Sequence, residues 1–326
     1  MIHDAAGHAA DAHGDGGSHG HQPVLLPSVL AMTAPRRGDC VIDATAGRGG
    51  HASALAAAVD PGIVILLDRD SENLKHAVER VRQAAPHSRI EGVHADFRSV
   101  ASVVDRLRVR ADVLLADLGV SSNQIDTPDR GFSFQDDGPL DMRLDRSLPG
   151  TAADLVRDLS ESDIESLIST LGEDPYSRAI ARKIAQSRAA QPITTTAHLA
   201  RLVREAYGSR ARFSRLHPAT RTFMALRIAV NDELRALEDL LGSITSAAEA
   251  RGTGWLSGEA RVAVISFHSL EDRQVKRSFA ALVEAALAHR LTRRPVIASD
   301  TEVEANPRAR SAKLRAIALG TRKSLP

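Results

Sequence analysis

The chain has 326 residues, 43% of them hydrophobic and 3% aromatic, with a formal net charge of +1 and one cysteine. That size suits one large domain or two ordinary ones with a sizeable core, and the longest apolar runs, residues 63–67 and 262–267, fall far short of the about 20 residues a membrane helix needs. A single cysteine excludes an internal disulfide, and the N-terminus lacks the basic-then-apolar pattern of a secretory signal, so a cytoplasmic location is the default expectation.

Residues 1–20 are rich in Gly, Ala, Asp and His with no periodic apolar pattern, and are expected to form a disordered tail. His3, His8, His13, His19 and His21 match no rigid metal spacing and have no cysteine beside them, so no metal site is expected. From Pro23, short β-like runs at 40–44, 63–67, 90–94 and 113–116 alternate with helical segments, which predicts a parallel sheet in an α/β fold. Each run ends near an acid or glycine: Asp43 and Gly47, Asp68 and Asp70, Asp96, then Asp117 and Gly119. Loops at those carboxyl ends form the expected ligand crevice.

The first of these loops, Gly47-Arg48-Gly49-Gly50-His51, lets backbone N–H groups approach a ligand beside a helix N-terminus. Gly47, Gly49 and Ala52 satisfy the dinucleotide pattern, and Asp68 follows Gly47 by 21 residues at the end of the next strand. A carboxylate there binds ribose hydroxyls, whether of NAD or of S-adenosylmethionine, so the pair fixes a nucleoside and leaves two cofactors open. The later strand ends favour the second. Asp96 and Phe97 stand where they could bracket an adenine, and Asp117 puts a carboxylate at the fourth strand's end, a series that nicotinamide enzymes do not need.

After Pro139 several helices follow without a convincing strand. Ser162 with Glu165 has capping-box spacing, Gly172 stops that helix, Asp174 before Pro175 reads as the next N-cap, and a further helix runs from about Thr196 to Gly208. The α/β pattern resumes after His217-Pro218 with a long helix through Leu240 and a strand at 262–267. Ser269 and Asp272 beyond it have the spacing of an N-cap and its third residue. Residues 302–310 look irregular, and 312–319 supply a last strand. The division is therefore a discontinuous α/β domain, 21–138 and 218–326, with an all-helical insertion at 139–217. From Arg178 to Arg227 there are eleven Lys or Arg against one acid, Glu205, whereas Asp129 to Asp174 holds twelve acids and four basic residues. Such asymmetry suits an oriented, RNA-facing surface or a pair of solvated helix faces.

Nine motifs in order now resemble one family. They are His21-Gln22-Pro23-Val24-Leu25-Leu26, Gly47-Arg48-Gly49-Gly50-His51, Asp68-Arg69-Asp70, Asp117 through Ser122, Arg130-Gly131-Phe132-Ser133-Phe134, Gly138 through Arg143, His217 through Phe223, Ser266 through Arg273, and Asn306 through Ser311. Together they resemble the bacterial 16S rRNA cytosine-N4 methyltransferases, the RsmH or MraW family. The resemblance implies a Rossmann-like class I AdoMet-dependent methyltransferase sheet with an inserted all-helical domain, S-adenosyl-L-methionine as methyl donor, and a decoding-centre cytidine of 16S rRNA in the small ribosomal subunit as acceptor. Carried over, Gly49, Gly50 and His51 line the methionine end of the cofactor, Asp68 meets its ribose, Phe97 lies against the adenine, and Asp117 and Gln124 complete the pocket. Two departures stand out: Ala44-Thr45-Ala46 before the loop, where a glycine and a bulkier residue are usual, and Asn123 for a usual proline.

An exocyclic cytosine amine is a poor nucleophile, and Asp117 is the candidate acceptor of its hydrogen bond. Methylation at carbon 5 would need a cysteine nucleophile, and Cys40 stands at the amino end of the first strand. Arg130, Phe132 and Phe134 are candidate contacts to the target base or a hydrophobic plug under a polar loop, and His268 is a candidate RNA contact or a locally bonded loop histidine. The rival readings are an NAD-dependent oxidoreductase and a non-catalytic RNA-binding protein on a methyltransferase fold.

Overall fold

The computed structural model describes residues 23–214 and 217–320, so the expected tail at 1–20 and the first two residues of the N-terminal motif lie outside the described residues. In chain order the elements are α1 (Leu26–Thr33), β1 (Cys40–Asp43), α2 (Gly50–Val59), β2 (Ile63–Asp68), α3 (Ser71–Ala84), β3 (Arg89–His94), α4 (Val100–Leu107), β4 (Ala111–Asp117) and α5 (Ser122–Asp126). Then come α6 (Ala152–Asp158), α7 (Glu161–Gly172), α8 (Ser177–Ala190), α9 (Thr196–Tyr207), α10 (Ala219–Asn231) and α11 (Glu233–Glu249). The chain closes with β5 (Leu256–Ser266), α12 (Ser269–Glu284), β6 (Ala288–Arg290), α13 (Asp300–Ala305) and β7 (Lys313–Leu319).

Apolar residues fill both faces of the central strands, because helices cover the sheet on each side. On one face Ile42, Ile65, Leu114, Val262 and Ile317 stand in register across five strands and pack with residues of α4, α11 and α12. On the other, Leu66, Leu115, Ala263 and Ala316 form a parallel row against α1, α2 and α3. Asp43 pairs in register with Leu66 and Leu115, and so occupies an otherwise apolar row. The order is β3-β2-β1-β4-β5-β7-β6, parallel except for β7, which runs antiparallel to β5 and β6. Strand order reverses between β1 and β4, which opens a crevice at their carboxyl ends. It is a Rossmann-like, doubly wound sheet.

A second core belongs to the helices between β4 and β5. Ile164, Ile168, Ile180, Ile184, Leu199 and Val203 from α7, α8 and α9 pack with Ala219, Phe223 and Leu226 of α10. The expected boundary at 217/218 assigns α10 to the sheet domain, yet its apolar side chains belong to the helical core. The long helix expected through Leu240 is likewise two helices, broken at Asp232, where φ is +52°. Asn231 anchors the break: its side chain donates to the Met142 carbonyl (2.7 Å) and accepts from the Leu144 N–H (2.8 Å).

Three predicted caps also move. Ser160, two residues before Ser162, accepts from the Asp163 N–H (3.1 Å) and starts α7. Asp174 does not cap α8; its carboxylate accepts from the Tyr176 N–H and, in the core, from the Tyr207 hydroxyl. His268 rather than Ser269 caps α12, and Asp272 pairs instead with Arg315 (2.7 Å). The stretch read as irregular holds α13 and a 3-10 turn at Pro307–Ser311. Among the described residues no helix is long and apolar enough to cross a membrane.

Candidate active site

A cleft of about 910 Å³ opens at the carboxyl ends of β1, β2 and β4, where the crevice rule locates a ligand. Strand alternation aims its acids. Val41 and Asp43, Leu66 and Asp68, and Leu115 and Asp117 each stand two residues apart, and the three apolar members all belong to the face covered by α2. Three carboxylates thus converge on the side from which α2 presents His51.

Each acid is held differently. Asp68 accepts from the Gly47 N–H through Oδ2 and the Asp70 N–H through Oδ1, both at 2.7 Å. Burial still pushes its carboxyl up to about 6, against the pull of those two bonds. Asp43 is 1% exposed and accepts from the Thr45 N–H, and burial raises it too to about 6. Asp117 is pushed up to about 7, first by burial and then by the Glu271 carboxylate. The Asp117 N–H donates to Thr45 Oγ1 (2.6 Å), so the threonine of the unusual Ala44-Thr45-Ala46 segment ties β1 to β4. The Asp117 Oδ1 atom is buried with no hydrogen-bond partner.

Beside this well lies a hydrogen-bonded network. Asp70 caps α3 by accepting from the Glu72 and Asn73 N–H groups, and also accepts from Gln124 Nε2 (2.9 Å) and Arg130 Nη1 (2.6 Å). Burial opposes ionisation of Asp70, but the bonds from Gln124 and Arg130 hold it below the usual carboxylate range. Asn73 donates to Ser121 Oγ and accepts from Asn123 Nδ2, so the asparagine in place of a proline braces α3 against α5.

Of the seven residues expected at the cofactor, six line the cleft: Gly50, His51, Asp68, Phe97, Asp117 and Gln124. Gly49 does not. Its φ is +79°, its N–H bonds the Ala46 carbonyl, and a Cβ there would come within 2.9 Å of the Ala77 Cα. The glycine is needed for the close approach of α2 and α3. Gln124 reaches the cleft with its amide already engaged by Asp70 and by the Ser121 N–H.

The four expected substrate contacts have other occupations. Arg130 is buried, bonded to Asp70 and to the Arg143 and Leu144 carbonyls, and so cannot reach out to a base. Phe134 stacks on His217 with centroids 4.5 Å apart and meets Phe223 edge-on, while Phe132 packs against the helical core near Arg130. These rings are a plug. His268 accepts from the Glu271 N–H through Nδ1, with Nε2 3.2 Å from Glu271 Oε1. Asp70, Asn73 and Ser121 were given no role by sequence reasoning, although Asp70 stands in the Asp68-Arg69-Asp70 motif. Glu271 was likewise missed as the acid beside Asp117. Glu233, His268 and Glu271 lie close enough to suggest a cation, but both oxygens of Glu233 are held at 2.9 Å by Arg227, so that charge is already compensated.

Residues 18–319 match the model of the MraW methylase family. Two similar proteins are named Ribosomal RNA small subunit methyltransferase H. The one from Trichlorobacter lovleyi is 43% identical over 313 residues, 91% of this chain and 97% of its own length. The one from Geobacter sulfurreducens is 44% identical over 313 residues with the same coverage. Among solved structures, an rRNA methylase from Streptococcus thermophilus aligns over 90% of this chain and 93% of its own at 9% identity, with a TM-score of 0.38. A SAM-dependent O-methyltransferase from Thermotoga maritima aligns over 94% and 69% at 12% identity, with a TM-score of 0.37. The oxidoreductase reading, which rested on the glycine loop alone, gives way to the sequence match, and the chain belongs to the MraW methylase family.

Proposed function

We propose that this chain transfers a methyl group from S-adenosylmethionine to the exocyclic N4 of a decoding-centre cytidine in 16S rRNA, acting on the small ribosomal subunit in the cytoplasm. The observation that carries the reading is Asp117 Oδ1, a buried acceptor without a partner at the end of β4, in a cleft shared with Asp68 and Phe97. The residues fit the cofactor. Each Asp68 oxygen keeps a lone pair for a ribose hydroxyl after its backbone bond, Phe97 offers a ring to adenine, and the acid-rich floor suits a cation. The bound cofactor supplies an electrophilic methyl group on a positively charged sulfur.

Asp117 Oδ1 accepts a hydrogen bond from the incoming amine, which localises the nitrogen lone pair for attack. Thr45 fixes the backbone of Asp117, and His51 stands behind its second oxygen. Nitrogen is favoured over carbon 5 because the one thiol lies at the far end of β1, buried, and pushed up to about 12 by that burial. On the helical unit, Arg182, Arg201, Arg204, Arg210 and Arg212 are exposed, and Phe213, next to Arg212 in the chain, is 86% exposed, a set of side chains suited to phosphates and one unstacked base. Labelled methyl from S-adenosylmethionine is expected to appear as N4-methylcytidine when small subunits are the acceptor and their nucleosides are analysed by mass spectrometry. Methyl at any other position, or equal transfer to free cytidine, overturns the proposal.

A further inference from the structure

His51 is a buried titratable side chain that methyl transfer leaves without a role of its own. It projects from α2 with its side chain 7% exposed. Its Nε2 lies 2.8 Å from the Val24 carbonyl oxygen, and because a carbonyl only accepts, Nε2 carries the hydrogen. Its Nδ1 lies 3.4 Å from Asp117 Oδ2. With Nε2 protonated, the Nδ1 of a neutral ring is an acceptor 3.4 Å from a carboxylate oxygen, and two acceptors stand side by side unless a proton lies between them. The surrounding charges are mostly acidic: Asp43 from β1, Asp68 from β2, Glu271 from α12 and Glu302 from α13, with Arg227 of α10 behind Glu271. Ionising every carboxylate in such a well without a cation is costly.

We propose that in the free protein His51 and Asp117 share one proton, resident on the Asp117 carboxyl, and that a cationic methyl donor displaces this proton to solvent. The inference rests on assigning the cleft to S-adenosylmethionine. In the step, the O–H bond of the Asp117 carboxyl breaks, the proton passes to water, and the carboxylate that remains would offset the donor's positive charge; no other bond changes. Burial supports the resting state, since it pushes Asp117 up to about 7 and holds the His51 imidazole below its ordinary range. His51 is a positioning residue: while the carboxyl is protonated its Nδ1 accepts the O–H and orients Oδ2 toward the ring, which leaves Oδ1 for the amine; once the carboxyl has ionised that bond is given up, the donor's positive charge offsets the loss, and the amine meets a stronger acceptor. The demethylated product, a neutral sulfide, lacks the charge that drives the proton out.

The sign follows from linkage. Below about pH 7 the carboxyl is protonated in the free protein, so donor affinity rises by up to about tenfold per pH unit and then levels off once Asp117 is already ionised. Product affinity changes little over the acid range. The test is calorimetric titration of the full chain with S-adenosylmethionine and with S-adenosylhomocysteine, from pH 6 to pH 8.5, in buffers of different ionisation enthalpy. At pH 6 the donor is expected to release close to one proton more than the product, and the excess disappears at pH 8.5 and in Asp117→Asn. Equal release by both ligands, or an excess retained in Asp117→Asn, overturns the inference.

Nitrogen NMR of labelled histidine needs no variant and tests the same point. A neutral ring with Nε2–H at pH 7 is expected; an imidazolium or an Nδ1–H tautomer overturns it. His51→Asn keeps an oxygen opposite the carboxyl without a titrating ring, so it is expected to bind the donor within about tenfold of the parent and to move the pH midpoint of release. An unmoved midpoint removes His51 from the scheme. Donor binding without excess proton release sinks this inference and leaves the cofactor site standing, whereas no donor binding at all sinks both.

Discussion

The carboxyl edge of the sheet and the outer face of the helical unit carry charge in opposite ways. At the edge, Asp70 is 5% exposed and is bonded by two backbone N–H groups, Gln124 and Arg130, so its charge has fixed partners and a fixed direction. On the helical unit, Lys183 with Glu205 and Arg157 with Asp158 pair at the surface, and several arginines stand open to water. Buried charge determines where atoms sit, because an unpaired partner is too costly to tolerate. Exposed charge determines what is attracted, over a range that salt shortens. On the proposed function, a rigid donor site and an adaptable surface for RNA call for these two solutions in turn.

The largest effect that sharpens this contrast is expected from Arg130→Ala. The variant leaves the Asp70 carboxylate buried without its cation and is expected to lose about 3–5 kcal/mol of stability, read by denaturant unfolding. Normal stability with weakened RNA binding would move Arg130 to the exposed class and break the contrast. Next is Asp117→Ala, expected to lower the transfer rate at saturating donor by about 100-fold or more while binding to small subunits is kept. A rate within a few-fold of the parent would reduce Asp117 to a wall of the cleft.

The division between the two regions also governs what could be read from the sequence. Strands of alternating or continuous apolar residues, the glycine loop and the strand-end acids are local patterns, so β1 through β4 and the convergence of Asp43, Asp68 and Asp117 follow from positions two residues apart. The Arg130–Asp70 pair joins residues 60 apart, and the stacking of Phe134 on His217 joins a loop to the start of another helix. No periodicity announces such contacts, which is why the sequence leaves Arg130 and Phe134 open between a contact to the target base and a plug under the loop. The same limit applies to Gly49, whose pattern says loop but whose reason is the Ala77 backbone across α3. The break at Asp232 has no glycine or proline to mark it; an aspartate takes the left-handed conformation there.

Phe213 gives a smaller test on the exposed side. If a base of the substrate stacks on its ring, Phe213→Ala is expected to weaken small-subunit binding by about 1–3 kcal/mol while donor affinity and stability stay unchanged. Arg204→Ala, in contrast, is expected to weaken binding through salt-dependent attraction, lowering the slope of log affinity against log salt by about one at most. A Phe213→Ala variant that also destabilises the fold would show the ring to be part of the helical core, and the exposed face would lose its one specific feature.

The smallest effect concerns how the helical unit holds itself together. Ser160 and Ser162 both precede a negative residue at cap spacing, yet only Ser160 accepts from a helix N–H, that of Asp163, and Ser162 lies 2.8 Å from the Ser160 hydroxyl. Ser160→Ala is therefore expected to cost about 1 kcal/mol, and Ser162→Ala to stay within about 0.5 kcal/mol of the parent, by urea unfolding. The reverse ranking would restore the capping box at Ser162 and shift the start of α7 by two residues. A later start would remove only the first residues of α7 and leave Ile164 and Ile168 packed with Phe223 and Leu226, so the two variants report where the helix begins and how much its cap contributes, separately from the core it feeds.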